Sequence, residues 1–422
     1  MTDLLELSDR ILAGEAAIED HHPFSPTNEL VEAGDDTAFV ASFANVSALR
    51  TDDGLVLVDT GSPFSAATVH QVVRDWDRSR LHTAIYTHGH IDHVFGTEPF
   101  EEDATDAGDP PVRVVGHIDI EARFDRYVTC AGYNAVINQR QFQAPGLRWP
   151  TTYRRPDTTY RDRLDLTVGG LDLELHHARG ETDDATWVWV PERKVVCTGD
   201  LIIWCTPNAG NPQKVQRYAG DWAIALREMA ALGPEVLLPG HGLPVRGAAR
   251  VQAVLLDTAA VLETLHQGTL DLMNEGARLD DIVQQVRVPD DLLAKPYLRP
   301  IYDDPEFVVR GVWRLYGGWY DGNPARLKPA PDAALAAEVA ALAGGASRLA
   351  DRALELAGAG SDDDLRLAGH LAEMAAQAEP GDAGINRARA EVFGARARAE
   401  QSLMAKGVFT WAASESERAA SG

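Results

Sequence analysis

THGHIDHVFG, Thr87 to Gly96, places His88, His90, Asp92 and His93 within six residues, directly after the apolar run Leu81–Tyr86. Side chains two apart in extended chain share a face, so a strand ending here sends His88 and His90 to one side. A helix beginning at Ile91 would point Asp92 and His93 back toward the same space. Imidazoles and carboxylates are the ligands of borderline cations such as zinc. The HxHxDH spacing therefore supplies two half-sites, one for each of two neighbouring metals. A His-rich surface loop would not combine four ligand-type residues with a glycine, a preceding strand and further ligands from later segments.

Upstream, Thr37–Leu49 and Gly54–Asp59 read as strands around the turn Asp52-Asp53-Gly54. The second ends in VLVDTG and delivers Asp59, an acid of the kind that holds a metal-ligating His by its other nitrogen and fixes its tautomer. A helix over Ser65–Arg78 and a strand over His82–Tyr86 complete a βαβ cadence. Downstream, Glu101–Pro111 reads as an exposed acidic loop, Val112–Gly116 as a strand and Ile118–Val128 as a helix. AGYNAVINQRQF continues in helical character, with Asn138 and Arg140 able to reach a pocket. Pro145–Arg163 is a long aromatic loop of the sort that covers sites.

Three later runs end in ligand-type residues. Glu181 lies in the loop between Leu171–His177 and Thr186–Val190, Asp200 tips the strand Val195–Gly199, and His241 follows Val236–Pro239. Such convergence at strand ends builds a site on a rigid sheet edge. Cys205, just past Asp200, is a candidate pocket residue, whereas Cys197 reads as core; His117, His176 and His177 read as structural. From Val251 the strand signals fade. Helices are expected at Val251–Leu265, Leu270–Glu275 and Leu279–Gln285, then at Asp332–Leu342, Ala346–Ala357, Asp362–Ala378 and Gly384–Leu403. The last group is Ala-rich and amphipathic, suited to packing against itself or a second subunit.

Across 422 residues, 45% hydrophobic and 24% charged content is ordinary for a globular chain with room for two or three domains. A net charge of −25 argues against nucleic acid or anionic membrane as partner. Lysine occurs only at Lys194, Lys214, Lys295, Lys328 and Lys406, so arginine carries the basic charge. The acidic N-terminus has no secretory pattern and no run is long enough to insert in a membrane. Cys130, Cys197 and Cys205 make no even disulfide set, which fits a cytoplasmic location.

HxHxDH, the TGD strand tip and a strand-end GH, preceded by VDTG, together resemble the metallo-β-lactamase superfamily across roughly Ser42–Pro244. The resemblance implies an αββα sandwich. It also implies two metal sites: His88 and His90 at the first, Asp92, His93 and His241 at the second, Asp200 bridging. Glu181, in ARGETDD, stands where the superfamily has a further His. The alkyl sulfatase branch, similar to dodecyl-sulfate hydrolases, also uses a Glu there. THGHIDHVFG, AGYNAVINQRQF and RLYGGWYDGNPARL with its Ala-rich helices look like that branch, whose helices form a dimerisation domain. Its bridging carboxylate is a Glu in an AEN context where this chain has TGDLIIW, and its usual C-terminal sterol-carrier-like domain finds no room here. The expected organisation is a catalytic domain over 1–250, a helical connector completing the pocket over 251–330 and an all-α dimerisation domain over 331–422.

The chemistry agrees with hydrolysis. Two divalent cations about 3.5–4 Å apart lower the pKa of a shared water and clamp the attacked group; zinc is the metal expected. Their charge exceeds that of Asp92, Glu181 and Asp200 by one, which a bound hydroxide cancels, so an anionic substrate needs a further cation. Arg217, in KVQRYAGDW, is the preferred oxyanion binder. Arg140 is the reserve, and Tyr320 contacts substrate or shapes the domain junction. Asp92 and Asp200 are the expected catalytic carboxylates. The expected function is sulfate-ester hydrolysis on a small-molecule substrate by a homodimer. Thioester, lactone or amide hydrolysis is the competing enzyme reading, and a scaffold with a structural metal is a third. Three carboxylates argue against the scaffold, because structural sites close with Cys or His.

Overall fold

A computed structural model describes residues 3–421. The chain forms two compact units, Met1–Ala131 with Pro150–Gly318, and Gly132–Trp149 with Trp319–Gly422. The first unit holds thirteen strands in two mixed sheets. One sheet runs in sequence order: β1 (Glu29–Gly34), β2 (Thr37–Ala41), β3 (Val46–Thr51), β4 (Gly54–Val58), β5 (Leu81–Ile85), β6 (Arg113–His117) and β7 (Thr158–Tyr160). It is antiparallel up to β4 and parallel from there on. The other contains β8 (Arg163–Val168), β9 (Leu171–Ala178), β10 (Ala185–Val190), β11 (Val195–Gly199), β12 (Val236–Pro239) and β13 (Val245–Arg246), with β11 and β12 parallel.

Strands β2, β4, β10 and β11 are buried at every position, so both faces of each sheet are covered. On the first sheet, Val69, Val73, Phe100, Ala104, Ile120 and Phe124 come from helices Ala66–Trp76, Glu98–Ala107 and Asp119–Thr129. They pack on Val40, Leu55, Leu57, Ala84 and Val114. Helices Ala219–Ala231 and Ala248–Asn274 lie on the second sheet. The inner faces meet where the Tyr160 hydroxyl donates to Thr186 Oγ1 at 2.7 Å. The result is the expected αββα sandwich.

Several local expectations change. Thr37–Leu49 is two strands, broken at Ser42–Asn45, because Asn45 turns its amide onto the carbonyls of Pro239 and Gly242. Glu101–Pro111 is a loop only from Gly108 on: helix Glu98–Ala107, with Glu98, Pro99 and Glu101 in its first turn, takes in the rest and buries Phe100 and Ala104. No helix begins at Ile91; residues 91–97 run as turns, held by Thr60 N to His93 O (2.8 Å) and Phe95 N to Gly61 O (3.0 Å). Val251 to Glu275 lies almost wholly in one helix, Ala248–Asn274; the last helix expected, Gly384–Leu403, stops at Ala399, and a further helix, Leu403–Ser421, follows it. The expected limits at 250 and 330 sit beside a division in which the connector helices up to Gly318 belong with the sandwich.

In the second unit, small side chains let helices approach closely. Ala340, Ala346, Ala350, Ala375 and Ala388 pack with Leu349 and Ile385. Ser361 and Asp382 cap their helices by accepting from Asp364 N and Ile385 N. The segment 132–149 joins this unit through Gln143 Nε2, which donates to Gly407 O at 2.7 Å.

The closest backbone approach in the metal loop is at Gly96, where a Cβ would lie 1.7 Å from Thr60 O. Gly96→Ala should therefore lower stability by about 1–3 kcal/mol, the usual cost of overpacking. Urea denaturation checks this, and an unchanged midpoint would show that the Thr60 turn yields freely.

Candidate metal centre

Strand β5 ends at Ile85, and the turn after it throws four side chains inward. His88 Nε2 lies 2.8 Å from His90 Nδ1 and 3.6 Å from Asp200 Oδ2. His93 Nε2 lies 3.2 Å from Asp200 Oδ1 and 3.7 Å from Asp92 Oδ2. His241 Nε2 is 3.5 Å from Asp92 Oδ2 and 3.4 Å from Asp200 Oδ1. His90 Nδ1 is 3.8 Å from Glu181 Oε1. All seven expected ligands thus converge in three overlapping groups: His88 with His93 and Asp200, Asp92 with His93 and His241, and His90 with Glu181 and Asp200.

The inward nitrogens of His93, His88 and His241 are set by what the other nitrogen of each ring does. His93 Nδ1 meets Asp59 Oδ2 at 2.6 Å, while Thr87 donates N–H and Oγ1–H to the same carboxylate at 2.7 and 2.8 Å. His88 Nδ1 meets Thr87 Oγ1 at 3.0 Å, and His241 Nδ1 donates to the Phe43 carbonyl. Asp59 thus has the role expected of it. The loop that interrupts the strand at Ser42 carries Phe43, so that interruption orients a ligand.

Glu181 Oε1 accepts from Asn208 Nδ2 at 2.6 Å and pairs with Arg217 Nη1 at 2.7 Å. Burial pushes the Glu181 carboxyl up to about 7, Arg217 opposing and Asp200 adding to the rise. Burial, reinforced by neighbouring imidazoles, drives His88 and His90 well below the usual histidine value. Burial acts the same way on His93 and His241, but Asp200 and its fellow carboxylates outweigh it and raise both. Burial would raise Asp200, yet His93, His241 and His88 hold it well below the usual range. Protons on His93 and His241 therefore do the neutralising that a bound cation does by displacing them.

The donor set fits such a cation. Glu181 Oε2, Asp200 Oδ1 and His93 Nε2 are buried with no hydrogen-bond partner among the described residues. Three orphaned ligand atoms in one place are costly unless something positive engages the oxygens. Nitrogen and carboxylate donors without thiolate suit a divalent metal of borderline to hard character.

Arg217 stands at this centre, buried, with Nη1 also donating to the Asn208 carbonyl. Arg140 and Tyr320 belong to the other unit. Cys205 is buried, and burial followed by Asp303 and Glu181 raises its thiol well above the ordinary value. Cys197 is core, pushed up to about 12 by burial. His117 stacks on His177 at 3.8 Å and His176 on Trp187 at 4.0 Å, all structural. The sequence reading did not find Asn208, Arg123 or Asp184. Asp184 accepts from Gly89 N at 2.8 Å and from Arg123 Nε at 2.7 Å, fixing the backbone between His88 and His90. Its only signal was the acidic run ETDD following the ligand Glu181.

Residues 40–241, which contain every ligand candidate, match the metallo-beta-lactamase superfamily, and residues 278–419 match the alkyl sulfatase dimerisation family. The chain joins a metallo-β-lactamase domain to an alkyl sulfatase dimerisation domain. A linear primary-alkylsulfatase of Pseudomonas sp. is 29% identical over 71% of this chain and 61% of its own length. An (R)-specific secondary-alkylsulfatase of Pseudomonas sp. is 28% identical over 68% and 47%. An alkyl/aryl-sulfatase of Saccharomyces cerevisiae is 25% identical over 74% and 52%. The chain thus spans roughly half to three fifths of the length of these curated relatives. The solved stereoselective inverting sec-alkylsulfatase Pisa1 of Pseudomonas sp. superposes with a TM-score of 0.81, 24% identity, and coverage of 93% of this chain and 66% of that one. The likeness shows that the metallo-β-lactamase and dimerisation domains share that protein's fold.

Asp59 is the test of the orienting network in the metallo-β-lactamase domain. Asp59→Ala should weaken metal retention about 10- to 100-fold by freeing the His93 ring. Competition against a chelator of known affinity measures this, and equal retention would remove Asp59 from the network.

Proposed function

We propose that the chain is a binuclear metal-dependent hydrolase of sulfate esters, releasing an alcohol and inorganic sulfate. The observation that carries this is the convergence of seven candidate ligands in three overlapping groups, two of them containing Asp200, with a buried guanidinium held against Glu181 at 2.7 Å. We assign His88, His90 and Glu181 to one metal, Asp92, His93 and His241 to the other, and Asp200 to both, with zinc as the metal. Two such ions supply Lewis acidity and make water acidic enough to attack near neutral pH. Asp92, whose side chain is 20% exposed against 8% for Asp200 and 5% for Glu181, is placed to take a proton from an entering water. Asp200 fixes the spacing of the imidazoles. Arg217 offers charge to the ester's oxyanion, a group that stays charged at every working pH.

We further propose the division into a catalytic domain over 1–250, a connector over 251–330 and a dimerisation domain over 331–422. Tyr302 of the connector supports its part in the pocket, since its ring lies tilted against Phe24 at 4.2 Å and Phe24 lies 4.3 Å from the His241 ring. Among the described residues no single helix is long and apolar enough to cross a membrane. Three free thiols suit a cytoplasmic enzyme, which cell fractionation tests.

Elemental analysis of protein purified without chelator should return about two metals per chain, and one metal in fully active protein overturns the binuclear assignment. Arg217→Ala should lose about ten- to a hundredfold on a medium-chain alkyl sulfate, with far less effect on a neutral thioester or lactone. Because Glu181 already engages Nη1, a neutral substrate is the specific competitor. A wild type that hydrolyses thioesters or lactones and ignores alkyl sulfates would replace the sulfatase assignment with that one.

For the homodimer, Leu335, Leu342 and Leu367 of the helical unit stand 52%, 82% and 55% exposed, the kind of apolar surface a second copy covers. Light scattering should show a dimer for the full chain and a shift toward monomer for Leu342→Glu. A wild-type monomer at micromolar concentration rejects the assignment.

A further inference from the structure

Beside the metal centre, within the same unit, the segment Ala209–Arg217 and the helix Pro305–Gly317 enclose a cleft of about 190 Å³. Lys214, Arg217, Arg310 and Arg314 line it, and no Asp or Glu does. In a chain of net charge −25 such a concentration of cations is not a sample of the average surface. Arg310 and Arg314 stand one helical turn apart on the same face. Arg314 Nε donates to Gln216 Oε1 at 3.1 Å, and Gln216 Nε2 donates to Gly311 O at 3.0 Å, so the two walls are tied together. Exposed Arg310 forms no ion pair among the described residues.

Two buried donors among the lining residues lack acceptors: Arg217 Nε and Asn211 Nδ2. Both residues are 5% exposed. The Asn211 amide is oriented, because its Oδ1 accepts the Gln213 N–H at 3.1 Å, leaving Nδ2 to donate. Buried N–H groups without acceptors are rare and call for a ligand or water. Half-buried Lys214 is pushed down to about 8, by burial first and then by the Arg217 charge, with Glu181 and Asp92 opposing.

We propose that this cleft binds a tetrahedral oxyanion, inorganic sulfate, and serves as the station through which the product leaves the metal centre. Arg217 is the shared wall: its Nη1 holds Glu181, and the residue lines the cleft with Nε buried and without an acceptor. Donors in forked geometry with flanking guanidinium groups match a tetrahedral dianion better than a neutral or cationic molecule. A water takes roughly 30 Å³, so the volume admits sulfate with part of its hydration shell. That the anion is sulfate rests on the sulfatase proposal; that the cleft takes an oxyanion does not.

The test is equilibrium binding of radiolabelled inorganic sulfate to the full-length protein as purified, wild type against Arg310→Ala/Arg314→Ala. Both arginines are exposed, and unchanged circular dichroism confirms the fold. The double variant should bind sulfate at least about tenfold more weakly, and added sodium chloride should weaken the wild type more steeply than the variant. Asn211→Leu, which keeps the volume and removes the donor, should weaken binding in the same direction. Equal sulfate binding by wild type and double variant, or none by the wild type, overturns the proposal. Turnover does not enter the measurement. A protein that binds sulfate through these arginines and hydrolyses no sulfate ester would fault the sulfatase assignment and leave the oxyanion site standing.

Discussion

Asp200 is 7% exposed and lies among three imidazoles, and the rest of the centre is built to make that burial tolerable. A carboxylate removed from water costs several kcal/mol unless nearby charge and donors compensate. His88 and His93 come from the turn after β5, His241 from the turn after β12, and Asp200 from the turn after β11. Three strand ends must therefore stop in register. The two sheets enforce this through short ties: Thr186 N to Thr87 O at 2.6 Å, Gly240 N to Gly199 O at 2.9 Å, and Asn45 N to Gly240 O at 2.8 Å. Gly240 is required there, since a Cβ would lie 2.2 Å from Asp200 Oδ1.

The ligand candidates were legible in the sequence because each comes soon after an apolar run; the strand ends at Ile85, so the turn rather than strand periodicity brings His88 and His90 together. His88, His90, Glu181, Asp200 and His241 could thus be named before any geometry was known. The residues that aim them were not legible. Phe43 orients His241 through its backbone carbonyl, which has no side-chain signature. Asn45 interrupts an otherwise apolar stretch, Thr37–Leu49, that reads as one strand; its partners are 194 and 197 residues away, beyond any local pattern. Asp184 and Arg123 pair across 61 residues.

Errors in the elements have a common physical origin. Glu98–Ala107 is rich in acids and looks solvated, yet two residues one helical turn apart, Phe100 and Ala104, suffice to dock it on the sheet. Helix existence was set by burial of a narrow stripe, which composition obscures. The Ala-rich C-terminal helices were easier to recognise because propensity and burial agree there, but the reading ran its last helix to Leu403 and missed the separate helix Leu403–Ser421 that buried Ser402 leads.

Glu181 and Arg217 show why a single residue change at a ligand position alters more than coordination. A neutral imidazole at 181 would leave Arg217 with no partner for Nη1 except the Asn208 carbonyl. Glu181 instead draws the guanidinium to 2.7 Å and fixes it, with Asn208 Nδ2 completing the clamp at 2.6 Å. A carboxylate there would lower the net charge of any cations the centre holds, and the same contact fixes a guanidinium beside them. Positive charge would then be offered partly by a side chain with directional donors rather than by the ions alone. On the sulfatase proposal, an anionic group would meet charge in two places, while a neutral group would meet a weaker Lewis acid.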